Sequence, residues 1–392
     1  MPSQREPAID VLRGLALLGI LLVHTSIFAM PALSPSFSRV MFPAGHDRVA
    51  DFLVSWLIQG KFYPMFAFLF GWGAFVMASR GGDAFNALYR RRLLALLLVG
   101  LLHALLLFEG DILVTYAVLG FFLRRAINRD WPAEKLVRRA KLLLMLGALL
   151  IVAIASAGAY LSGAPAETTV QLAETARQVR EGGFFQLLQY RLNFLGAVIV
   201  LLAVQAPHIL GMFYLGLAAA RTFAAGGLEG ARPHARRVLP WTLWPGLVGA
   251  GIAAALSSLA LPLPGWVPDV AEAVGMGAFG PLLAIGWLSL ATLWLAGGVP
   301  GLLSRTVGAA GRMSLSVYVG QSVVMGFVYH GYGLGLFGLV GPARAGLIAI
   351  GAWAGLVVFS MAWLSLFRLG PLEWLIRPGT RPEPASEGAQ AA

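Results

Sequence analysis

The sequence predicts an all-α, polytopic transmembrane helix bundle with about ten spanning helices, and three observations carry that reading. The 392 residues are 58% hydrophobic and only 12% charged, against about 25% charged in an ordinary soluble domain. Mean hydropathy is +0.77. Apolar runs of about 20 residues, the length that crosses a bilayer as helix, recur from end to end. Leu/Ala/Gly runs without strict alternation argue helices rather than a membrane barrel.

The spans fall at 9–30, 52–79, 88–108, 111–128, 142–162, 188–224, 239–262, 274–296, 312–332 and 344–367. Within 188–224 the stretch Gln205-Ala206-Pro207-His208 offers a break, since proline removes a helix hydrogen bond. One crossing there, part of it tilted or re-entrant, gives ten spans; two crossings give eleven. Residues 1–377 form one integral-membrane domain, with an N-terminal part over 1–162 and a C-terminal part over 188–377. The joining segment, 163–187, carries Glu167, Glu174, Arg177, Arg180 and Glu181 and reads as an external amphipathic helix on the membrane surface. The tail 378–392 reads as disordered.

The formal net charge of +11 does not require a nucleic acid. Basic residues gather between apolar runs, at Arg90 to Arg92, Arg124 to Lys141 and Arg232 to Arg237, which is the positive-inside pattern of cytoplasmic loops. Both termini are thereby placed in the cytoplasm and the chain in a bacterial inner membrane. No cleavage site follows the first apolar run, which reads as a retained helix. With no cysteine, disulfides, thiolate metal sites and a cysteine nucleophile are excluded. No metal-ligand spacing, phosphate-cradling loop or Ser-His-Asp arrangement is readable.

Ionisable residues inside the spans are the candidates for chemistry, because charge in lipid is costly unless it has a task. In IDVLRGLALLGILLVH, residues 9 to 24, Asp10, Arg13 and His24 share one helix face at ~100° per residue. Arg13 suits a phosphate or carboxylate and His24 a proton transfer; they stand roughly 16 Å apart along the axis. A simple Asp10–Arg13 pair at the interface is the bland alternative. His103 lies in the outer half of its span, followed by Glu109 and Asp111 in a short external turn. Either carboxylate can orient the imidazole. Lys61 interrupts the second span, or marks its true start. Ser314, Tyr318 and Gln321 recur at i, i+4, i+7, lining a polar cavity or gluing helices together. His208 and His330 stand isolated.

The stretches DVLRGLALLGILLVH, GKFYPMFAFLFGWG, RRLLALLLVGLLHALLLFEGDILVTYA, GRMSLSVYVGQS and GPLEWLIR together resemble, in order and over nearly the whole chain, the YeiB-like family, the domain of unknown function 418. That family is similar to transmembrane acyltransferases, including the acyltransferase 3 proteins and lysosomal heparan glucosaminide acetyltransferase. The acyltransferase 3 proteins have an Arg-x10-His pair in an early span, which Arg13 and His24 match; YeiB-like proteins more often have Asn at the position of His24. The resemblance implies transfer of an acyl group, acetyl by default, from cytoplasmic acyl-CoA to an outer hydroxyl or amine, such as a carbohydrate's. No cofactor would be tightly bound. Arg13, with Lys61 and Asp10, would then hold the CoA; His24 or His103 would act as base, oriented by Asp111 or Glu109. Ser314, Tyr318 and Gln321 would bind thioester or acceptor. A transporter of a small solute is the competing class, a non-catalytic scaffold the third, and a homodimer stays open for either.

Overall fold

The computed structural model describes residues 6–30, 38, 41–161, 169–259, 261–264 and 266–376. Among them every regular element is a helix, with no strand. The principal helices are α1 (Pro7–Ala29), α2 (Gly45–Leu57), α3 (Phe62–Gly81), α4 (Phe85–Leu106), α5 (Leu113–Asn128), α6 (Ala133–Leu161), α7 (Thr169–Glu181), α8 (Phe184–Phe223) and α9 (Gly227–Ser258). Then α10 (Trp266–Val274) runs through a π turn, Gly275–Phe279, into α11 (Gly280–Leu295). Short α12 (Gly301–Arg305) and α13 (Val307–Arg312) lead to α14 (Ser314–Tyr329), α15 (Pro342–Leu366) and α16 (Pro371–Ile376). Seven helical stretches among the described residues are long and apolar enough to cross a membrane. This is a multi-pass membrane protein.

Basic residues at the ends of several helices, Arg80, Arg92, Arg221 and Arg312, gather at one end beside Glu6 and the start of α1. At that N-terminal end Gly311 meets the Asp10 carbonyl and Gly14 meets Val307, with no room for a side chain at either glycine. At the opposite end the Gly338 amide donates to the Ala29 carbonyl, near the short tip that joins α4 to α5. α1 packs on α13, α14 and α15, while α3 packs on α8, so the N-terminal and C-terminal parts interleave in one bundle. The α3–α8 contact is backbone on backbone: a Cβ at Gly71 would strike the Phe213 carbonyl, and one at Gly216 the Phe68 carbonyl. Such small-residue contacts are how helices associate where lipid removes the hydrophobic drive.

Carboxylates from elsewhere in the chain cap helix N-termini, whose unpaired N–H groups and positive dipole end attract them. Asp47 accepts from the Ala343 amide of α15. Glu373, within GPLEWLIR, accepts from the Leu315 and Ser316 amides of α14, and Gly370 leaves room for its carboxylate.

Several sequence expectations are corrected. Residues 184–223 form one unbroken 40-residue helix with Pro207 inside it, so neither a break nor a second crossing occurs there. At ~1.5 Å per residue it is roughly 60 Å long. The 52–79 run is two helices, because Gly60 takes φ +78 between α2 and α3, a left-handed geometry open mainly to glycine. Within the segment 163–187, α7 is the expected amphipathic helix, and its apolar face packs on the bundle. Its Ala176 and Val179 are buried against Ala29, Phe108, Phe337 and Val340, and the Val179 carbonyl accepts the Gly331 amide. Its outer face pairs Arg177 with Glu174 and Glu181; the Arg177 hydrogen bond holds the Glu174 carboxyl down to about 2. The tail 378–392 lies outside the described residues.

Candidate functional site

The α4–α5 tip turns within a few residues, and this brings His103, near the end of α4, face to face with Asp111, just before α5. The His103 Nδ1–H donates to Asp111 Oδ2 at 2.7 Å, and Asp111 Oδ1 accepts the Val114 amide at 3.0 Å. Asp111 therefore caps α5 with one oxygen and orients an imidazole with the other. Gly100 makes the approach of the two helices possible: a Cβ there would stand 2.8 Å from the Val114 nitrogen and 3.1 Å from Asp111 Oδ1. With Nδ1 committed as donor, Nε2 of the neutral ring is an acceptor, and the Ser322 hydroxyl of α14 donates to it at 2.8 Å. His103, Asp111 and Ser322 are 2%, 1% and 1% exposed. An Asp–His–Ser chain thus does exist in the fold, contrary to the sequence reading, and all three members are sealed from solvent.

Around this chain sit aromatic rings. Tyr318, one turn before Ser322 on α14, packs 5.1 Å from the His103 ring centroid, and its hydroxyl accepts the Ile112 amide over a long 3.4 Å. His24 meets Tyr318 edge-on at 5.9 Å and Phe108 at 4.5 Å. The two histidines, on separate helices, are brought close together, with Tyr318 in contact with both.

A cavity of about 1110 Å³ runs from the N-terminal end to this layer. Arg13, Arg80, Arg92, Arg221 and Arg312 line it, with Glu6, Asp10 and Glu373, and Ser314, Tyr116 and Tyr318 reach its inner part. Arg13 stands 3.5 Å from Asp10. Partial burial raises the Glu6 carboxyl above its ordinary value. A second cavity, of about 350 Å³, is lined by His24, Ser26, Tyr63, Gln205, Ser258 and Glu272, among others. Both volumes lie in or near the range of ligand pockets. Tyr116 on one cavity and Tyr63 on the other are joined by a hydrogen bond from the Tyr116 hydroxyl to the Tyr63 carbonyl at 2.9 Å. Tyr318 and Ile112 are joined across the same wall.

Three predicted roles move. Lys61 does not join Arg13: it is 1% exposed, donates to the Ser55 carbonyl at 2.7 Å and neighbours the smaller cavity, whose lining includes Ser55 and Gly60. Glu109 does not orient His103. It lies 3.4 Å from Arg191 Nε, while the Arg191 guanidinium donates to the Leu106 and Leu107 carbonyls at 2.8 and 2.9 Å. Gln321 lines neither cavity and ties α14 to α1 through the Leu17 carbonyl at 3.0 Å.

Sequence reasoning missed Ser322 and Arg191. For Ser322 a signal was present, the i, i+4 step from Tyr318 that puts both on one helix face; for Arg191, a cation at the edge of an apolar run. His330 is not isolated, since its Nδ1 lies 3.2 Å from the Tyr332 hydroxyl. Nor is His208, which accepts from the Tyr63 hydroxyl and donates to the Leu144 carbonyl, both at 3.1 Å. Among the described residues no three His, Cys, Asp or Glu gather as metal ligands.

Comparison with known proteins relates the chain to proteins of undefined activity. A family model described as "Protein of unknown function (DUF418)" matches residues 219–382. The uncharacterized protein YxaH of Bacillus subtilis (strain 168) is 32% identical over 400 residues, covering 97% of this chain and 95% of that protein. The uncharacterized protein YeiB of Escherichia coli (strain K12) is 29% identical over 392 residues, covering 95% and 96%. No solved structure matches the chain.

Proposed function

The chain belongs to the DUF418 family of YeiB-like membrane proteins, and from that premise we propose that it transfers an acyl group across the bilayer, from acyl-CoA to an acceptor hydroxyl or amine. The observation that carries this reading is the pair of cavities meeting at one thin wall, with histidines on and behind it. The larger, arginine-lined cavity suits a polyanionic cosubstrate. Its end of the bundle bears the basic connections, so the positive-inside bias assigns it to the cytoplasm. Arg13 holds phosphate there, and Ser314 and Tyr318 lie along the path of the thioester arm. The smaller cavity faces outward and receives the acceptor, to which His24 offers a ring nitrogen. His103 takes the proton, held by Asp111 in the tautomer that leaves Nε2 basic and steadied by that carboxylate as imidazolium.

Cavities on opposite sides of a wall also suit a transporter that opens them alternately. The acyl-transfer reading differs in requiring CoA recognition. Calorimetric titration of the detergent-purified protein with acetyl-CoA tests it, using CoA as a comparison. Saturable micromolar binding is expected in wild type and in His24→Ala, and binding at least tenfold weaker in Arg13→Ala. Equal loss in both variants would sink the division of roles. No binding by folded wild-type protein would transfer the case to solute flux in liposomes.

A further inference from the structure

We infer that Ser322 carries the acyl group between the two cavities as a covalent ester, so that transfer proceeds in two half-reactions through an acyl-enzyme. This rests on the acyl-transfer reading and deepens it. Three observations lead there. Both ring nitrogens of His103 are engaged, Nδ1 with Asp111 and Nε2 with Ser322, so the proton that Nε2 stands ready to accept belongs to Ser322. Next, the wall keeps a thioester in one cavity from an acceptor in the other, and direct attack would need both in one space. A residue inside the wall is the natural carrier. Finally, Ser322 lies one turn behind Tyr318, which lines the larger cavity and touches the ring of His24, a residue that lines the smaller one. The Tyr318 hydroxyl is held by one long bond, and a turn of this side chain is the movement that transfer to the buried Ser322 requires.

The chemistry balances without a further reagent. Ser322 Oγ adds to the thioester carbonyl and its proton passes to His103 Nε2, while Asp111 steadies the imidazolium through Nδ1–H. The C–S bond breaks, the sulfur takes the proton from Nε2, and CoA leaves as the thiol. The acceptor then adds to the Ser322 ester and gives its proton to Nε2. The C–Oγ bond breaks, Oγ takes that proton, and the acylated acceptor leaves with serine restored. An alcohol nucleophile activated by a base that a third group orients is the general signature of such covalent catalysis.

The test is incubation of the purified protein with acetyl-CoA labelled in the acetyl group and no acceptor, followed by denaturation, protein-bound counting and peptide mass mapping. Wild type is expected to hold label on the peptide containing Ser322, stable to neutral hydroxylamine as an ester is. Ser322→Ala should bind acetyl-CoA within twofold of wild type and hold no label. Ser322→Cys, which keeps a nucleophile, should hold label that neutral hydroxylamine releases, a thioester signature that a structural role for Ser322 would not produce. Wild type that binds acetyl-CoA but never acquires label would overturn the ester intermediate while leaving direct acyl transfer standing. Label on His24 or elsewhere, persisting in Ser322→Ala, would overturn the assignment to Ser322. Failure to bind acetyl-CoA at all would remove the acyl-transfer reading itself, and the ester with it.

Discussion

Asp111→Asn is expected to lower acetyl transfer by about 10²–10⁴-fold, the range for losing an oriented general base, while acetyl-CoA affinity stays within twofold. The two oxygens of Asp111 are both acceptors, one for the Val114 amide and one for His103 Nδ1–H. An asparagine that keeps its oxygen on Val114, and so keeps the α5 cap, turns its NH₂ toward His103. Nδ1 must then become the acceptor and Nε2 the donor, so the Ser322 proton has nowhere to go. This is the wrong-tautomer effect known from serine hydrolases. Glu109→Gln should change transfer by less than about threefold, since that carboxylate faces Arg191 and not His103. Single-turnover loss of the thioester, followed in the same preparations used for calorimetry, separates the two. Comparable defects in both variants would mean that the tip acts as one charged unit rather than through Asp111.

Arg191→Ala carries the largest expected cost in stability, about 3 kcal/mol or more, the scale seen when one partner of a buried charged network is removed. The guanidinium is 3% exposed and closes the end of α4, where carbonyls lack helical partners and the dipole is negative. Its loss orphans the Leu106 and Leu107 carbonyls and leaves Glu109 facing no cation. Arg191→Lys should recover only part of the loss, because an ammonium cannot fork across two carbonyls. Glu109→Gln added to Arg191→Ala should cost less than the sum of the two, as residues sharing one network do not add. Thermal unfolding in detergent, read by tryptophan fluorescence, checks both points. A strictly additive pair would show that Glu109 and Arg191 do not interact.

The bundle, the basic end and the polar faces were legible because bilayer thickness and charge bias act locally along the chain. Asp10, Arg13 and His24 share a face by helix arithmetic, and the short tip promised a carboxylate beside His103, while leaving Glu109 and Asp111 as alternatives that only the fold separates. The i, i+4 step from Tyr318 put Ser322 on the polar face, but not its partner: a serine within a helix is ordinarily inert, and what makes this one different lies 219 positions away in His103. The sequence placed Lys61 beside Arg13 because both are cations in early spans, but the Gly60 turn and the start of α3 set it at another depth. Pro207 suggested a break, yet α8 continues through it, supported by packing on α3 and α6. The cavities arise from packing among distant helices and have no local signature.

Because the chain lacks cysteine, one introduced thiol at a time can report which side of the membrane each cavity opens to. Ser79 is exposed on the larger cavity and Ser26 on the smaller. The measurement is labelling of Ser79→Cys and Ser26→Cys with an impermeant maleimide, in whole cells and in inverted vesicles, with and without acetyl-CoA. Ser79→Cys is expected to react only in inverted vesicles and to be shielded by acetyl-CoA, and Ser26→Cys only in whole cells, unshielded. Labelling of both from the same side, or an equal indifference of both to acetyl-CoA, would contradict a donor cavity and an acceptor cavity on opposite faces of the membrane.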